Sequence, residues 1–338
     1  MNSADIVYVE DHEPGITRRK MRHGWGYFDT RGTRITDRAE IARLNAIGLP
    51  PAYVDCWFCP DACGHIQATG YDARGRKQYR YHTRFREAQE AAKYDRCGRF
   101  GELLPRLRRQ VQNDLRLRGL CREKALAAVV RLLDLGTIRI GNEAYAQENK
   151  SFGATTLRKR HAQVRGSVLK LEFRAKSGKL RIVTISDLSL SRFVKRCQDL
   201  PGQQLFRWID DAGAPHPVTS SDVNAYIRGA MGSDFTAKHF RTWGASVIAF
   251  RTLAEATAPI GLKTLLEPVT QALGNTPAIA RKSYVHPRLI ALARDHISQD
   301  AFRAGLRLPR ATQYLNRHER GLIAFLDTDS AEQPAKAA

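Results

Sequence analysis

The sequence predicts an α+β protein. A small antiparallel β-rich N-terminal domain is expected over residues 1–90, then a mainly α-helical domain over 91–326 that carries a small β-hairpin sheet, then a disordered tail over 327–338. Three observations carry this reading. Aromatic and apolar residues flank Gly-containing turns in the first third, apolar residues recur every three or four positions after about Phe85, and the chain ends on the polar DTDSAEQPAKAA. A length of 338 residues, 43% of them hydrophobic, suggests two domains that can each bury a core.

The elements follow in order. WGYFDTRGTRI has the pattern of a hairpin, and HIQATGYDARGRKQYRY repeats it around Asp72 to Gly75. Between them, Asp37 and Glu40 form a capping-box pattern ahead of Ile41, Leu44 and Ile47, with Gly48 and Pro50 as stop signals. The domain boundary is expected within EAQEAAKYDR, as a hinge helix. Leu104, Leu107, Val111 and Leu115 then keep helical spacing with Arg on the other faces, and Leu126, Val129, Val130 and Leu133 do the same after Gly119. Leu169, Leu171 and Phe173 alternate with Lys170, Glu172 and Arg174 before Lys176, Ser177 and Gly178 turn the chain into LRIVTI, which puts Lys176 at or near an exposed tip. The sequence has no internal repeat.

Composition narrows the partners. The 55 Lys and Arg against 34 Asp and Glu give a formal charge of +21, an excess that suits a polyanion, although a basic soluble protein would share it. No apolar run approaches the length needed to span a membrane, and MNSADIVYVEDHEPG lacks the regions of a secretory signal, so a cytoplasmic protein is expected. Six unevenly placed cysteines fit a reducing compartment. Cys56, Cys59, Cys63 and His65 have partial metal-ligand spacing. They fall within one short stretch, whereas structural zinc sites usually combine two separated ligand pairs, so buried thiols at the end of a strand and no metal are expected.

Four polar residues carry the chemistry: Arg139 in RIGNEAY, Lys176 in FRAKSGK, Arg241 in KHFRTWG and Tyr284 in GNTPAIARKSY. Two guanidiniums, an ammonium and a phenol are the parts needed to attack a phosphodiester, since Arg matches phosphate oxygens bidentately and Lys can deliver a proton. The set has no carboxylate cluster of the kind that holds magnesium in two-metal nucleases. Taken singly, Lys176 could be an ordinary turn lysine, Tyr284 a core tyrosine and either Arg a structural ion-pair partner.

The order and local context of these residues resemble the type IB DNA topoisomerases, in the compact form of bacteria and poxviruses. The resemblance runs from about Gly15 to His286. It is strongest in GYDARGRKQYRYH, RIGNEAY with TTLRKRH, LEFRAKSGKLRI and GNTPAIARKSY. It implies a helical catalytic domain of the tyrosine recombinase and type IB topoisomerase kind. It further implies relaxation of supercoiled duplex DNA through a 3′-phosphotyrosyl intermediate, without ATP, metal or other cofactor. Tyr284 would be the nucleophile, Arg139 and Arg241 the donors to the phosphate, and Lys176 the acid that protonates the leaving 5′-oxygen.

Asn275 departs from the poxvirus pattern, which has His before Thr-Pro; its amide can donate a hydrogen bond to a non-bridging oxygen but cannot supply a proton. For DNA, the resemblance points to Lys77, Gln78, Tyr79, Arg80 and Tyr81 on one strand, and to Asn142 and Tyr145 after Arg139. A monomer clamped around the duplex, in the nucleoid, is expected.

Two other functions compete. A tyrosine recombinase shares the chemistry, but such enzymes have His three residues before the second Arg, where Lys238 stands here. A non-enzymatic DNA-binding protein would need Lys and Arg but no Tyr284 in that motif.

Overall fold

A computed structural model describes residues 5–22 and 24–327, apart from the side chains of Ala91, Ala92, Ala144 and Tyr145. The chain divides into two compact units, residues 1–93 and 94–338, and the division falls inside EAQEAAKYDR.

In the first unit, β1 (Ile16–Met21), β2 (Gly24–Phe28), α1 (Arg38–Ala46), β3 (Val54–Phe58), β4 (Ile66–Tyr71) and β5 (Lys77–Tyr81) follow one another. Among the described residues, the strands form one five-stranded antiparallel sheet in the order β2-β1-β3-β4-β5. The β4–β5 hairpin stands where the alternation predicts it. Asp72 closes its turn by accepting the N–H groups of Arg74 and Arg76 at 2.9 and 3.1 Å, and Gly75 takes φ +71°.

WGYFDTRGTRI differs from expectation. Its first half is β2, but the partner is β1, and past the Asp29 turn only Arg34 bridges back to Phe28. β1 is hard to read because Arg18 stands where a core residue would. Its guanidinium donates to the carbonyls of Leu49 and Pro50 at 2.9 Å each and lies 4.3 Å from the centre of the Trp25 ring. The capping box also resolves differently: Asp37 caps the N–H of Ala39, while Glu40 turns away to pair with Arg43 at 2.6 Å. Ile16, Tyr27, Leu44, Leu49, Phe58 and Ala68 pack as this unit's core.

Two of the three thiols are as expected, Cys56 and Cys59 being buried at the end of β3, where burial pushes both above their ordinary range, whereas Cys63 is only half-buried. His65 is occupied otherwise, its Nδ1 accepting the N–H of Val9 at 3.1 Å. Among the described residues, no group of three or more His, Cys, Asp or Glu could hold a metal ion.

One long helix, α2 (Thr83–Asp114), leads into the second unit, followed by α3 (Arg122–Gly136) and α4 (Glu143–Asn149). Leu104, Leu107, Val111, Leu126, Val129, Val130 and Leu133 are all buried, as their spacing predicts. Next, β6 (Ala162–Arg165), β7 (Val168–Arg174) and β8 (Leu180–Ser186) form a three-stranded antiparallel sheet among the described residues. Leu169, Leu171 and Phe173 point into the core from β7. After α5 (Leu188–Gln198), β9 (Arg207–Ile209) and β10 (Pro215–Pro217) make a short ribbon. The rest is helical: α6 (Ser220–Met231), α7 (Ala237–Glu255), α8 (Leu262–Leu273), α9 (Pro277–Ser283), α10 (Pro287–Leu292), α11 (His296–Gly305) and α12 (Arg317–Asp327).

A buried ion network ties α12 to the front of this unit. Arg108 on α2 pairs with Asp134 at 2.8 Å and with Glu319 at 2.7 Å, and Trp243 on α7 donates to Glu319 at 3.4 Å. Among the described residues, no helix is long and apolar enough to cross a membrane. The expected disordered tail lies outside the described residues beyond Asp327.

Candidate active site

α3 ends on Thr137, a left-handed residue with φ +48°. Two residues on, Arg139 starts a segment held against residues 153–155. The N–H groups of Ala154 and Thr155 donate to the carbonyls of Arg139 and Ile140 at 2.8 Å each. The approach is close enough that a Cβ on Gly153 would sit 2.6 Å from the Arg139 carbonyl oxygen and 2.5 Å from the Gly141 nitrogen. Glycine is therefore required by contact rather than by torsion.

Lys176 stands on the exposed turn Lys176–Gly178 between β7 and β8, where Ser177 takes φ +66°. Arg241 lies on α7 and is only 4% exposed. Asn275 follows Gly274, whose φ of +66° stops α8. Thr276 then caps α9, which has Pro277 in its first turn and delivers Tyr284 at its end.

The fold brings these residues together. Arg139, Lys176 and Arg241 line one cavity with Phe152, Arg181 and Gly274, and no carboxylate among the described residues lines it. Asn275 Oδ1 accepts from Arg139 at 3.0 Å and from Arg241 at 3.4 Å. Arg241 also donates to the carbonyls of Thr137 and Leu273. Its guanidinium carbon lies 4.8 Å from the centre of the Tyr284 ring. Asn275 Nδ2 and Arg241 Nε are buried without a hydrogen-bond partner among the described residues, which leaves donors free for a ligand.

Electrostatics follow from this geometry. Burial acts most strongly on the Tyr284 phenol and raises it, but charge and hydrogen bonds from Arg241 and Arg139 outweigh burial and leave it below its ordinary value of 10.0. Arg241 is pulled down to about 10, first by burial and then by repulsion from Arg139. Three guanidiniums gathered with no carboxylate partner among the described residues make a site short of negative charge.

Several residues that contact the backbone near these groups give no signal in the sequence. Ser246, fully buried on α7, accepts the N–H of His286 at 3.1 Å and donates to the Tyr284 carbonyl at 3.4 Å. Tyr94 donates to the Lys282 carbonyl at 3.0 Å. Arg181, Gly141 and Gly153 belong to the same group. Sequence reasoning weighs single side chains, whereas these act through backbone partners brought near by the fold.

Lys238 is exposed. Beside it, His239 is a core residue: Nδ1 accepts the N–H of Thr236 at 3.0 Å, Phe100 and Phe235 flank the ring, and burial chiefly lowers its pKa to about 4.

The expected DNA-contact residues divide. On β5, Tyr79 and Tyr81 are exposed and stacked at 5.9 Å, and Arg80 is exposed as well. Lys77 is held by Asp11 at 2.7 Å and Gln78 by Asp72 at 3.1 Å. Strand alternation puts Gln78 on the face opposite Tyr79 and Tyr81. Asn142 is exposed at the start of α4, while the side chain of Tyr145 lies outside those described.

A family model described as the eukaryotic DNA topoisomerase I catalytic core matches residues 82–285. A second, the bacterial DNA topoisomerase IB N-terminal domain, matches residues 24–72. DNA topoisomerase 1B of Acanthamoeba polyphaga mimivirus is 32% identical over 83% of this chain and 88% of its own length. The chain belongs to the type IB DNA topoisomerases. Membership decides against the recombinase and non-enzymatic readings.

DNA topoisomerase 1 of Mycosarcoma maydis is a more distant relative of this topoisomerase, 27% identical over 53% of the chain; the match spans a fifth of that protein, 20% of its length. The crystal structure of XerH site-specific recombinase bound to difH substrate in a pre-cleavage complex is matched over 57% of this chain and 52% of its own. With 16% identity and a TM-score of 0.37, that likeness is too remote to bear on chemistry.

Proposed function

We propose that this topoisomerase relaxes supercoiled duplex DNA by breaking and rejoining one strand through a tyrosyl ester, with neither ATP nor a metal ion. The observation that carries the proposal is a half-buried phenol lying against two guanidiniums that together hold its pKa below the ordinary value. Tyr284 Oη attacks the scissile phosphorus, its proton passing to solvent, and the bond from phosphorus to the 5′-oxygen breaks. Lys176 gives its proton to that oxygen, a step that typically contributes about 10² to 10⁴ in rate.

Charge that builds on the non-bridging oxygens meets Arg139, Arg241 and the unpartnered Nδ2 of Asn275. Religation reverses each step, and the ester conserves the energy of the broken bond. The clustered guanidiniums supply the positive charge that a metal ion provides in other phosphoryl-transfer sites. Tyr79 and Tyr81 offer an exposed contact surface for DNA on one face of β5 and Arg80 is exposed on the other; Asn142 and Tyr145 are proposed as further contacts from the second unit, while Lys77 and Gln78 are tethered to Asp11 and Asp72. A single chain suffices for this chemistry, so the working form is taken as a monomer.

The test is covalent trapping on a suicide duplex in EDTA. The wild-type chain should form the adduct, Tyr284→Phe should bind DNA and form none, and Lys176→Ala should form it slowly unless the leaving oxygen is replaced by a 5′-bridging sulfur. Adduct formation by Tyr284→Phe, or a requirement for a divalent ion, would refute the mechanism.

A further inference from the structure

The proposed mechanism leaves two charged groups of the cavity unused, Lys179 and Arg181, and of these Arg181 is the one held by hydrogen bonds to another element. It sits on β8 opposite Phe173, five residues past Lys176 on the same hairpin. Its guanidinium donates to the carbonyl of Gln271 at 2.9 Å and to that of Ala272. Both belong to the last turn of α8, where carbonyls have no partner within the helix and the helix dipole favours a cation.

The Ala272 carbonyl also accepts Thr137 Oγ1 at 2.9 Å, and the next carbonyl, that of Leu273, accepts Arg241. Three successive carbonyls thus gather the α3 end that leads to Arg139, the helix that carries Arg241 and the hairpin that carries Lys176. Gly274 makes room for this: a Cβ there would lie 3.2 Å from the Arg181 side chain.

We propose that Arg181 is a positioning residue that clamps the Lys176 hairpin to the end of α8, immediately ahead of Asn275. The hairpin tip needs such a clamp. Past the bond from the Phe152 N–H to the Arg174 carbonyl at 2.7 Å, the backbone bonds at the turn are local, between Ala175 and Lys179 and between Gly178 and Ala175. The position also has an electrostatic cost: burial and repulsion from Arg139 lower the pKa of Arg181. A pin needed only for stability would gain from a carboxylate partner, whereas a carboxylate here would compete with the phosphate for the guanidiniums. The proposal rests on the reading of Lys176 as the proton donor.

The experiment is a double-mutant cycle of Arg181→Ala and Lys176→Ala, read as single-turnover cleavage on ordinary and 5′-bridging phosphorothiolate duplexes, with DNA affinity and thermal melting in parallel. Arg181→Ala should slow ordinary cleavage by about 10²-fold, the effect expected of roughly 1 Å of misplacement, with affinity changed only a few-fold. The sulfur leaving group should restore most of that rate. In the Lys176→Ala background, Arg181→Ala should cost only a few-fold more.

Arg181→Lys, which keeps the charge and one donor direction, should give a smaller defect that sulfur also restores; it serves as the readout if the alanine variant fails to fold. Multiplying losses in the double variant would overturn the proposal. So would an Arg181 defect equal on both duplexes while Lys176→Ala is rescued. If Lys176→Ala itself is not rescued, the proton-donor reading fails, and non-additivity then decides the positioning role alone.

Discussion

Gly153→Ala should disable the site without touching a reacting group. Gly153 has φ −145° and ψ −176°, extended backbone that alanine adopts freely, so the substitution acts only through the added methyl. That methyl would lie 2.5 Å from the Gly141 nitrogen, 2.6 Å from the Arg139 oxygen and 2.7 Å from the Gly141 Cα. All three are backbone atoms, so no side chain can swing aside. Relief requires the two segments to part by about 1 Å in a packed interior.

The segment that must move carries Arg139, whose guanidinium meets Asn275 at 3.0 Å and hydrogen-bonds the Tyr284 hydroxyl. A displacement of that size at a catalytic group costs about 10²-fold in rate, and overpacking costs about 1–3 kcal/mol of stability. Single-turnover covalent adduct formation on a suicide duplex measures the first, and denaturant unfolding the second. Gly229→Ala, at an exposed position of α6, is the control, since a Cβ there meets nothing within 4 Å and helix propensity favours Ala. If Gly153→Ala remains folded and cleaves within a few-fold of wild type, the close approach does not position Arg139.

Three further outcomes are expected. The Tyr284 phenol lies below 10.0, so cleavage should rise with pH and level off below pH 10, and Arg139→Ala should shift that profile upward; an unmoved profile would contradict the coupling. His239 is held neutral with a pKa of about 4 against 6.5 when free, so below pH 6.5 the unfolded chain takes up protons that the folded chain refuses; its share of stability, complete above that pH, should be lost as pH falls toward 4, and His239→Asn should flatten that part of the unfolding profile. Glu319→Ala should destabilise by about 3 kcal/mol in denaturant unfolding, the low end for a broken buried pair because Asp134 still neutralises Arg108, whereas Glu319→Gln should cost less; equal losses would mean that the charge contributes nothing.

What the sequence disclosed and what it hid divide on physical lines. The helices around Leu104 to Val111 and Leu126 to Leu133, the β7–β8 hairpin and the β4–β5 hairpin were legible because burial on one face imposes a period that composition can show. β1 was not, because its second inward residue is Arg18, held by carbonyls and an aromatic face that only the folded chain supplies. The candidate side chains Arg139, Lys176, Arg241, Asn275 and Tyr284 stand out by their motifs, and Asn275 meets Arg139 and Arg241 in the fold. The residues that contact the backbone around them, Arg181, Ser246 and Gly153, do not stand out. Each acts on a backbone group remote in sequence, and such a partnership leaves no local pattern.

The same partnerships explain how a cluster of cations survives without acids. Arg241 is buried and repelled by Arg139, which costs enough to lower its pKa to about 10. Carbonyl dipoles rather than carboxylates offset that cost: Thr137 and Leu273 hold Arg241, and Gln271 and Ala272 hold Arg181. A carbonyl at a helix end carries only a fraction of a charge, so it fixes a guanidinium's direction without neutralising it. Compare Arg108: burial lowers its pKa, but two carboxylates outweigh burial and hold it well above its ordinary value where it joins α2 to α3 and α12. In the mechanism proposed, the difference is functional. The site's field stays unspent until a phosphate enters and is strongest when the phosphorus oxygens gain charge, so carboxylates in place of these carbonyls would stabilise the resting protein and weaken the transition state.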